Sequence, residues 1–115
     1  MGRYFVAYHA PLSARERLAQ ATPEQAMAGV QQWIDWSHRL GDKLLDPGKP
    51  FGQTMQVTPK GIAPAQSDIV GMSIIEAPDM QSALTLVGDH HHLHWAPGCE
   101  ITVHEEIAVP ELQQG

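Results

Sequence analysis

Four of the seven histidines lie within five residues, in the segment DHHHLHW at 89–95. The segment is internal, so it is not a terminal purification tag. Imidazole has an unperturbed pKa close to physiological pH, and it is also the commonest metal ligand in proteins. The spacing therefore predicts either proton transfer or metal binding, and the elements around the segment must decide between them.

Metal binding depends on the local conformation of this segment. If it is extended, His90, His92 and His94 project to one side with a spacing that could ligate one zinc or nickel ion. A structural site usually adds a cysteine or a distant ligand, and a catalytic site needs supporting groups around its ligands. Since neither is visible in the sequence, metal binding by residues 90–94 is kept as an alternative.

Length and charge exclude several classes of protein. The chain has 115 residues, which fit one domain, 1–115, and its net charge of −6 with seven Lys and Arg argues against nucleic acid or anionic membranes as partners. No secretory signal or membrane-spanning run is visible, so we expect a cytoplasmic protein. The single cysteine, Cys99, cannot form an internal disulfide and is expected to be a small buried side chain.

The first half of the chain predicts a strand followed by a helix. Residues 3–9 are apolar and aromatic on both alternating faces, as in a central strand, and residues 10–21 read as a loop that could include one helical turn. Thr22 and Gln25 form a capping box that starts a helix, and Gly41 ends it. One stripe of this helix is mainly apolar and should face the core. Its members are Ala26, Met27, Val30, Trp33, Ile34, Ser37 and Leu40. Ser37 is expected to bond back to a carbonyl one turn earlier.

The second half predicts three more strands and a second helix. We expect strands at 54–59, 69–77 and 100–109, with a long hairpin loop between the first two and a helix at 80–87 before the histidine loop. This order is the βαββαβ arrangement of ferredoxin-like α+β folds. It predicts a four-stranded antiparallel sheet with spatial order 4-1-3-2 and both helices on one face. The other face is too apolar to be solvated, so we expect a homodimer.

Several segments resemble one family in their order and spacing. They are the strand end Tyr8-His9, the run from Trp33 to Gly52, GMSIIEA at 71–77, the helical segment DMQSALTLV at 79–87, and His92-Leu93 before the segment GCEITVHEEIAVP at 98–110. Together they resemble the YCII-related domain family over nearly the whole chain. The resemblance implies a dimeric α+β barrel. It also implies an enzymatic role for a His and Asp pair, by likeness to small dehydrochlorinases and muconolactone isomerases. Many relatives carry Asp-Gly-Pro-Phe before the third strand, whereas this chain has AQSDIVG, with Asp68 alone.

In this fold, the ends of the first strand and second helix meet the starts of the third and fourth strands. His9, Asp68 and the loop 89–98 should therefore converge at one sheet edge. A carboxylate beside an imidazole fixes its tautomer and favours its role as a general base. We predict that His9 and Asp68 form a catalytic pair with His92 as a third polar group. The predicted function is a small-molecule lyase or isomerase that acts without a cofactor.

Each of these residues also has a purely structural interpretation. His9 could bond a loop carbonyl at a strand end, and Asp68 could cap a turn. His104 shares a strand face with Thr102, either inside the barrel or half-buried and hydrogen bonded. His90, His91 and His94 do not match the resembled family and are expected at the surface. The second hypothesis is therefore a non-catalytic dimeric module that binds a small ligand or serves as an accessory subunit.

Overall fold

The computed structural model describes residues 1–12, 16 and 19–107 of the chain. In chain order, its main elements are β1 (Gly2–His9), α1 (Pro23–Leu40), β2 (Leu44–Pro50), β3 (Met55–Thr58), β4 (Gly61–Pro64), β5 (Ile69–Ala77), α2 (Met80–Val87) and β6 (Glu100–Glu105). Short 3-10 turns occupy Gly41–Lys43 and His91–His94. Two predicted elements lie partly outside the described residues. These parts are residues 13–15 and 17–18 of the predicted loop and residues 108–109 of the predicted last strand.

The main sheet has four antiparallel strands in the order β2-β5-β1-β6. The prediction numbered only the four strands of this sheet, so its strands 1, 2, 3 and 4 correspond to β1, β2, β5 and β6. Starting from β6, the observed order is therefore the predicted 4-1-3-2. The α+β class is therefore confirmed, and the arrangement is compatible with a ferredoxin-like fold.

The predicted position of the second strand is wrong. The edge strand that pairs with β5 is Leu44–Pro50, within a Pro- and Gly-rich stretch that reads as turns. Its register shifts twice, and Gly48 has a φ of 78°, a conformation that strongly favours glycine. Met55–Thr58, the predicted strand, pairs instead with Gly61–Pro64 in a separate, exposed hairpin.

The two helices pack against the same face of the sheet. Trp36 and Leu40 of α1 and Ala83 and Val87 of α2 share one buried cluster with the sheet residues Tyr4, Val6, Tyr8, Ile75 and Ala77. The start of α1 is as predicted, because Thr22 and Gln25 form a reciprocal capping box. The stripe is buried only toward its end, since Met27 is 70% exposed. The Ser37 hydroxyl donates to the Trp33 carbonyl at 2.9 Å, as expected.

The opposite face of the sheet has an apolar centre. Phe5 and Ala7 of β1 lie across from Ile74 and Met72 of β5, and all four side chains point away from the helices. We call this surface the open face. In the residues that the structure describes, no helix combines the length and apolar character needed to cross a bilayer.

Candidate functional site

His9 lies at the end of β1, where the pairing with β5 is irregular. Tyr8 pairs with Gly71 and His9 pairs with Ile69, so one residue of β5 is skipped between them. The extra residue, Val70, is in β5, and such a bulge bends the strand that carries it. The His9 side chain is 18% exposed, and strand alternation places it on the open face.

Asp68 directly precedes β5 and contacts the His9 ring. Its Oδ2 lies 3.0 Å from Nδ1 of His9, and its carboxylate is 65% exposed. The main chain supports this contact, because the amide of Ala10 donates to the Asp68 carbonyl at 2.7 Å. The structure thus brings together the pair that the sequence predicts.

Two residues of β6 extend the pair along the open face. The Nε2 of His9 lies 2.8 Å from Oγ1 of Thr102, and the same oxygen lies 2.9 Å from Nε2 of His104. Asp68, His9, Thr102 and His104 therefore form one continuous hydrogen-bonded chain, which we call the polar row. An unbroken chain of carboxylate, imidazole, hydroxyl and imidazole can hold a proton at one end and release it at the other.

His92 is close to His9 but is not part of the polar row. Its Nε2 lies 2.8 Å from the main-chain oxygen of His9, and its ring packs against Tyr8 and Trp95. Burial lowers the pKa of the His92 imidazole. Through its hydrogen bond to the main chain of His9, the His92 ring links the histidine segment to the end of β1.

His90 is fully buried, which corrects its expected place at the surface. Its ring lies 4.4 to 5.1 Å, between ring centroids, from Tyr8, Trp33, Trp36 and His91. The Nδ1 of His90 accepts the main-chain N–H of His92 at 3.0 Å. Burial is the main cause that lowers the pKa of His90 to about 3, so this imidazole is neutral in the folded protein at pH 7.

The expectation for His91 is also corrected, while His94 is exposed as expected. His91 is half-buried against Trp33 and His90, and burial lowers its pKa. The segment His91–His94 is a 3-10 turn, so the extended geometry on which the metal alternative depends is not present. Within the described part of the chain, no three His, Cys, Asp or Glu side chains are grouped as metal ligands.

The end of this loop packs as a small apolar unit. Ala10, Ala96 and Cys99 form a buried cluster, and Trp95 packs beside it. Burial raises the pKa of the Cys99 thiol, which disfavours the reactive thiolate. Cys99 is therefore the small buried side chain expected from the sequence.

Among the residues that the structure describes, the polar row lines neither of two hollows on the surface. A hollow of about 410 Å³ near Pro78 and Thr85 and another of about 540 Å³ near Gln53 and Gln66 are both lined by other residues. The row lies on an open surface, so only a molecule that covers the open face would enclose it.

Sequence reasoning missed Thr102 as a site residue and left His104 undecided. The available signal was the alternation of β6, which puts both on the face opposite Ile101 and Val103. No local signal pointed to the burial of His90. No protein-family model matches the chain, and a search of curated proteins returned no match.

Proposed function

We propose that the chain is a YCII-like, homodimeric lyase or isomerase that moves a proton on a small molecule. The observation that carries the proposal is the 3.0 Å contact between Asp68 Oδ2 and His9 Nδ1 on the open face. A carboxylate held against one ring nitrogen fixes the tautomer and stabilises the imidazolium that forms when the ring takes up a proton. Thr102 and His104 continue this pair across the sheet.

The surroundings of the row favour a small molecule with an apolar body. Phe5, Ala7, Met72 and Ile74 form the floor beside the row. Proton removal next to a carbonyl or halide needs a base but no metal or redox cofactor. An apolar floor would bind the body of such a molecule while the row acts on its acidic C–H bond.

A second copy of this chain is the proposed cover of the open face. The hairpin β3–β4 supports this, because Val57 and Ile62 form a cross-strand pair that is 75% and 72% exposed. A two-stranded hairpin is marginally stable in water by itself, and exposed apolar pairs of this kind mark interfaces. Two open faces packed together would form the α+β barrel and enclose the row.

Deuterium exchange tests the proposed chemistry without a known substrate. Butanone, α-ketobutyrate and α-angelica lactone are incubated in D₂O with the protein, and loss of the α-proton signal is followed by NMR. We expect exchange faster than with free imidazole at the same concentration, with a drop of about 100-fold in His9→Gln and Asp68→Asn, the size expected when a general base is lost. His38→Gln is the control, because His38 is exposed on α1.

The alternative is a module that binds a small ligand without catalysis, and the same experiment can identify it. The row lines neither of the two hollows described above, and an apolar surface can bind a ligand without any acid–base step. If no probe exchanges faster than with imidazole while the lactone shifts Phe5 and Ile74 resonances, the open face binds ligands without acting on them.

A further inference from the structure

We infer that Nδ1 of His104 is the nitrogen that takes the proton from the substrate, and that Thr102 passes the charge on to His9. This inference rests on the proposed function and assigns the roles within its site. It follows from counting the protons along the polar row, starting at the carboxylate.

The carboxylate of Asp68 determines the tautomer of His9. An ionised carboxylate only accepts hydrogen bonds, so Nδ1 of His9 carries the proton in the 3.0 Å contact. In the neutral ring, Nε2 then has a free lone pair and accepts the hydroxyl proton of Thr102 across 2.8 Å. Both ring nitrogens of His9 are therefore engaged, and neither is free to take a proton from a substrate.

The hydrogen bond that Thr102 donates to His9 also determines which nitrogen of His104 carries the proton. A hydroxyl has one proton, and Thr102 gives it to His9, so its oxygen must accept from Nε2 of His104 across 2.9 Å. The neutral His104 ring then has its lone pair on Nδ1. His104 is exposed, and none of the residues that the structure describes hydrogen bonds to this nitrogen. It is the free basic nitrogen of the row.

The proton transfer balances along this chain. The substrate C–H proton moves to Nδ1 of His104 and leaves its electron pair on the substrate as a carbanion. The Nε2 proton of His104 moves to Thr102, and the hydroxyl proton of Thr102 moves to Nε2 of His9. His9 becomes an imidazolium beside Asp68, and His104 stays neutral with its proton on Nδ1. The positive charge thus ends next to the carboxylate that stabilises it.

The neighbours of His104 indicate the class of substrate. Phe5 lies directly across from His104 in the β1–β6 register, and Ile74 lies on the other side of Phe5. On the same face, Arg3 and Glu106 are paired with each other at 2.7 Å, while Glu76 lies two residues after Ile74 and Glu100 two residues before Thr102. On the side of Phe5 and Ile74, a molecule at Nδ1 therefore meets an apolar surface, which fits an uncharged apolar group attached to the acidic carbon.

Histidine tautomers test the inference directly, without any substrate. Protein labelled with ¹⁵N-histidine is examined at pH 8 by long-range ¹H–¹⁵N spectra, which distinguish protonated from bare ring nitrogens. We expect the proton on Nδ1 in His9 and on Nε2 in His104. In Thr102→Val the His104 ring should return to the tautomer mixture of a free neutral imidazole, in which most but not all molecules have the proton on Nε2, while Thr102→Ser should keep the proton on Nε2 throughout. A proton on Nδ1 of His104 in the wild type, or an unchanged His104 in Thr102→Val, would overturn the inference.

Exchange kinetics separate this inference from the proposed function. With an exchanging probe, His104→Gln should lose about 100-fold in rate. Thr102→Val should lower kcat with little change in KM, and Thr102→Ser should restore it. If exchange survives His104→Gln but not His9→Gln, His9 is the base and only the inference fails. If the wild type exchanges no probe, the proposed function fails. The tautomer measurement then still shows which nitrogen atoms of the polar row carry the protons.

Discussion

The imidazole of His92 donates from Nε2 to the main-chain carbonyl of His9 at 2.8 Å. A carbonyl oxygen only accepts, so this nitrogen carries the proton and His92 acts on the backbone of His9 rather than on its ring. This hydrogen bond connects the histidine loop to β1, the strand that carries His9. It makes His92 a positioning residue in the proposed site.

Replacing His92 should therefore reduce stability. We expect His92→Ala to lower the free energy of unfolding by about 1–3 kcal/mol, because the partly buried carbonyl of His9 loses its partner. Urea unfolding followed by tryptophan fluorescence measures this. His94→Ala is the matched control, since His94 is an exposed neighbour in the same turn, and it should change stability by less than about 0.5 kcal/mol. Equal effects of the two substitutions would contradict the assignment.

Buried His90 should make the fold sensitive to acid. Its folded pKa of about 3 lies below the ordinary 6.5 of the unfolded chain, so its contribution to stability is complete above 6.5. It is lost as the pH falls from about 6.5 toward 3, because the unfolded state binds the proton first. The loss amounts to several kcal/mol, since one pKa unit corresponds to about 1.4 kcal/mol.

The variant His90→Phe tests this pH dependence. Phenylalanine fills a similar volume among Tyr8, Trp33 and Trp36 and cannot be protonated. We expect a lower stability at pH 8, because the N–H of His92 loses its acceptor, and a flatter decline between pH 6.5 and 4. Urea unfolding at a series of pH values measures both, and a decline as steep as in the wild type would show that other groups cause it.

Tyr8 should make the fold sensitive to alkaline pH. Burial raises its pKa to about 12, with the hydrogen bond to Ser73 acting in the other direction. Because the folded pKa is raised, the stabilisation is complete below about 10 and is lost as the pH rises from 10 toward 12. Ser73 donates to the Pro47 carbonyl at 2.8 Å, so the Tyr8 hydroxyl donates to Ser73.

We expect Tyr8→Phe to cost about 1 kcal/mol at pH 7, the usual net worth of one hydrogen bond. It should also remove the loss of stability attributable to Tyr8 between pH 10 and 12. Unfolding monitored by far-ultraviolet circular dichroism across this range measures both effects. An alkaline decline that persists unchanged in the variant would place its cause elsewhere.

Gly48 should be indispensable for the edge strand. Its φ is positive, and an added Cβ would overlap the carbonyl of Met72 in β5. We expect Gly48→Ala to destabilise the protein by about 3 kcal/mol or more, through strain and lost pairing of β2. Gly52→Ala is the control, since a Cβ there meets open space. Thermal unfolding compares the two, and similar melting temperatures would contradict the described path of β2.

The exposed hairpin should matter for self-association. If a second copy covers the open face, the double variant Val57→Lys and Ile62→Lys should shift the protein toward the monomer, because two charges replace an exposed apolar pair. Gln31→Lys with Gln32→Lys is the control, since both glutamines are exposed on α1. Size-exclusion chromatography with light scattering measures the mass. A wild-type monomer at high concentration would refute the proposed dimer.

Local signals were enough to predict most of the elements. The capping box of Thr22 and Gln25, the glycine at 41 and the alternation of β5 and β6 are set by residues close in sequence, so they can be recognised without a structure. The strand at Leu44–Pro50 could not be recognised in this way. Its extended form depends on β5, which accommodates two register shifts and the close approach of Gly48.

The sequence by itself determined the fold class, the helix ends and the meeting of His9 with Asp68, because each follows from local patterns or from the order of the elements. Only the tertiary structure decided that Thr102 and His104 continue the pair, since this depends on the register between strands 93 residues apart in the chain. It likewise decided that His90 is buried, because Trp33 and Trp36 come from a distant helix. Long-range pairing and packing, which local composition does not encode, turned a histidine-rich segment into part of the core.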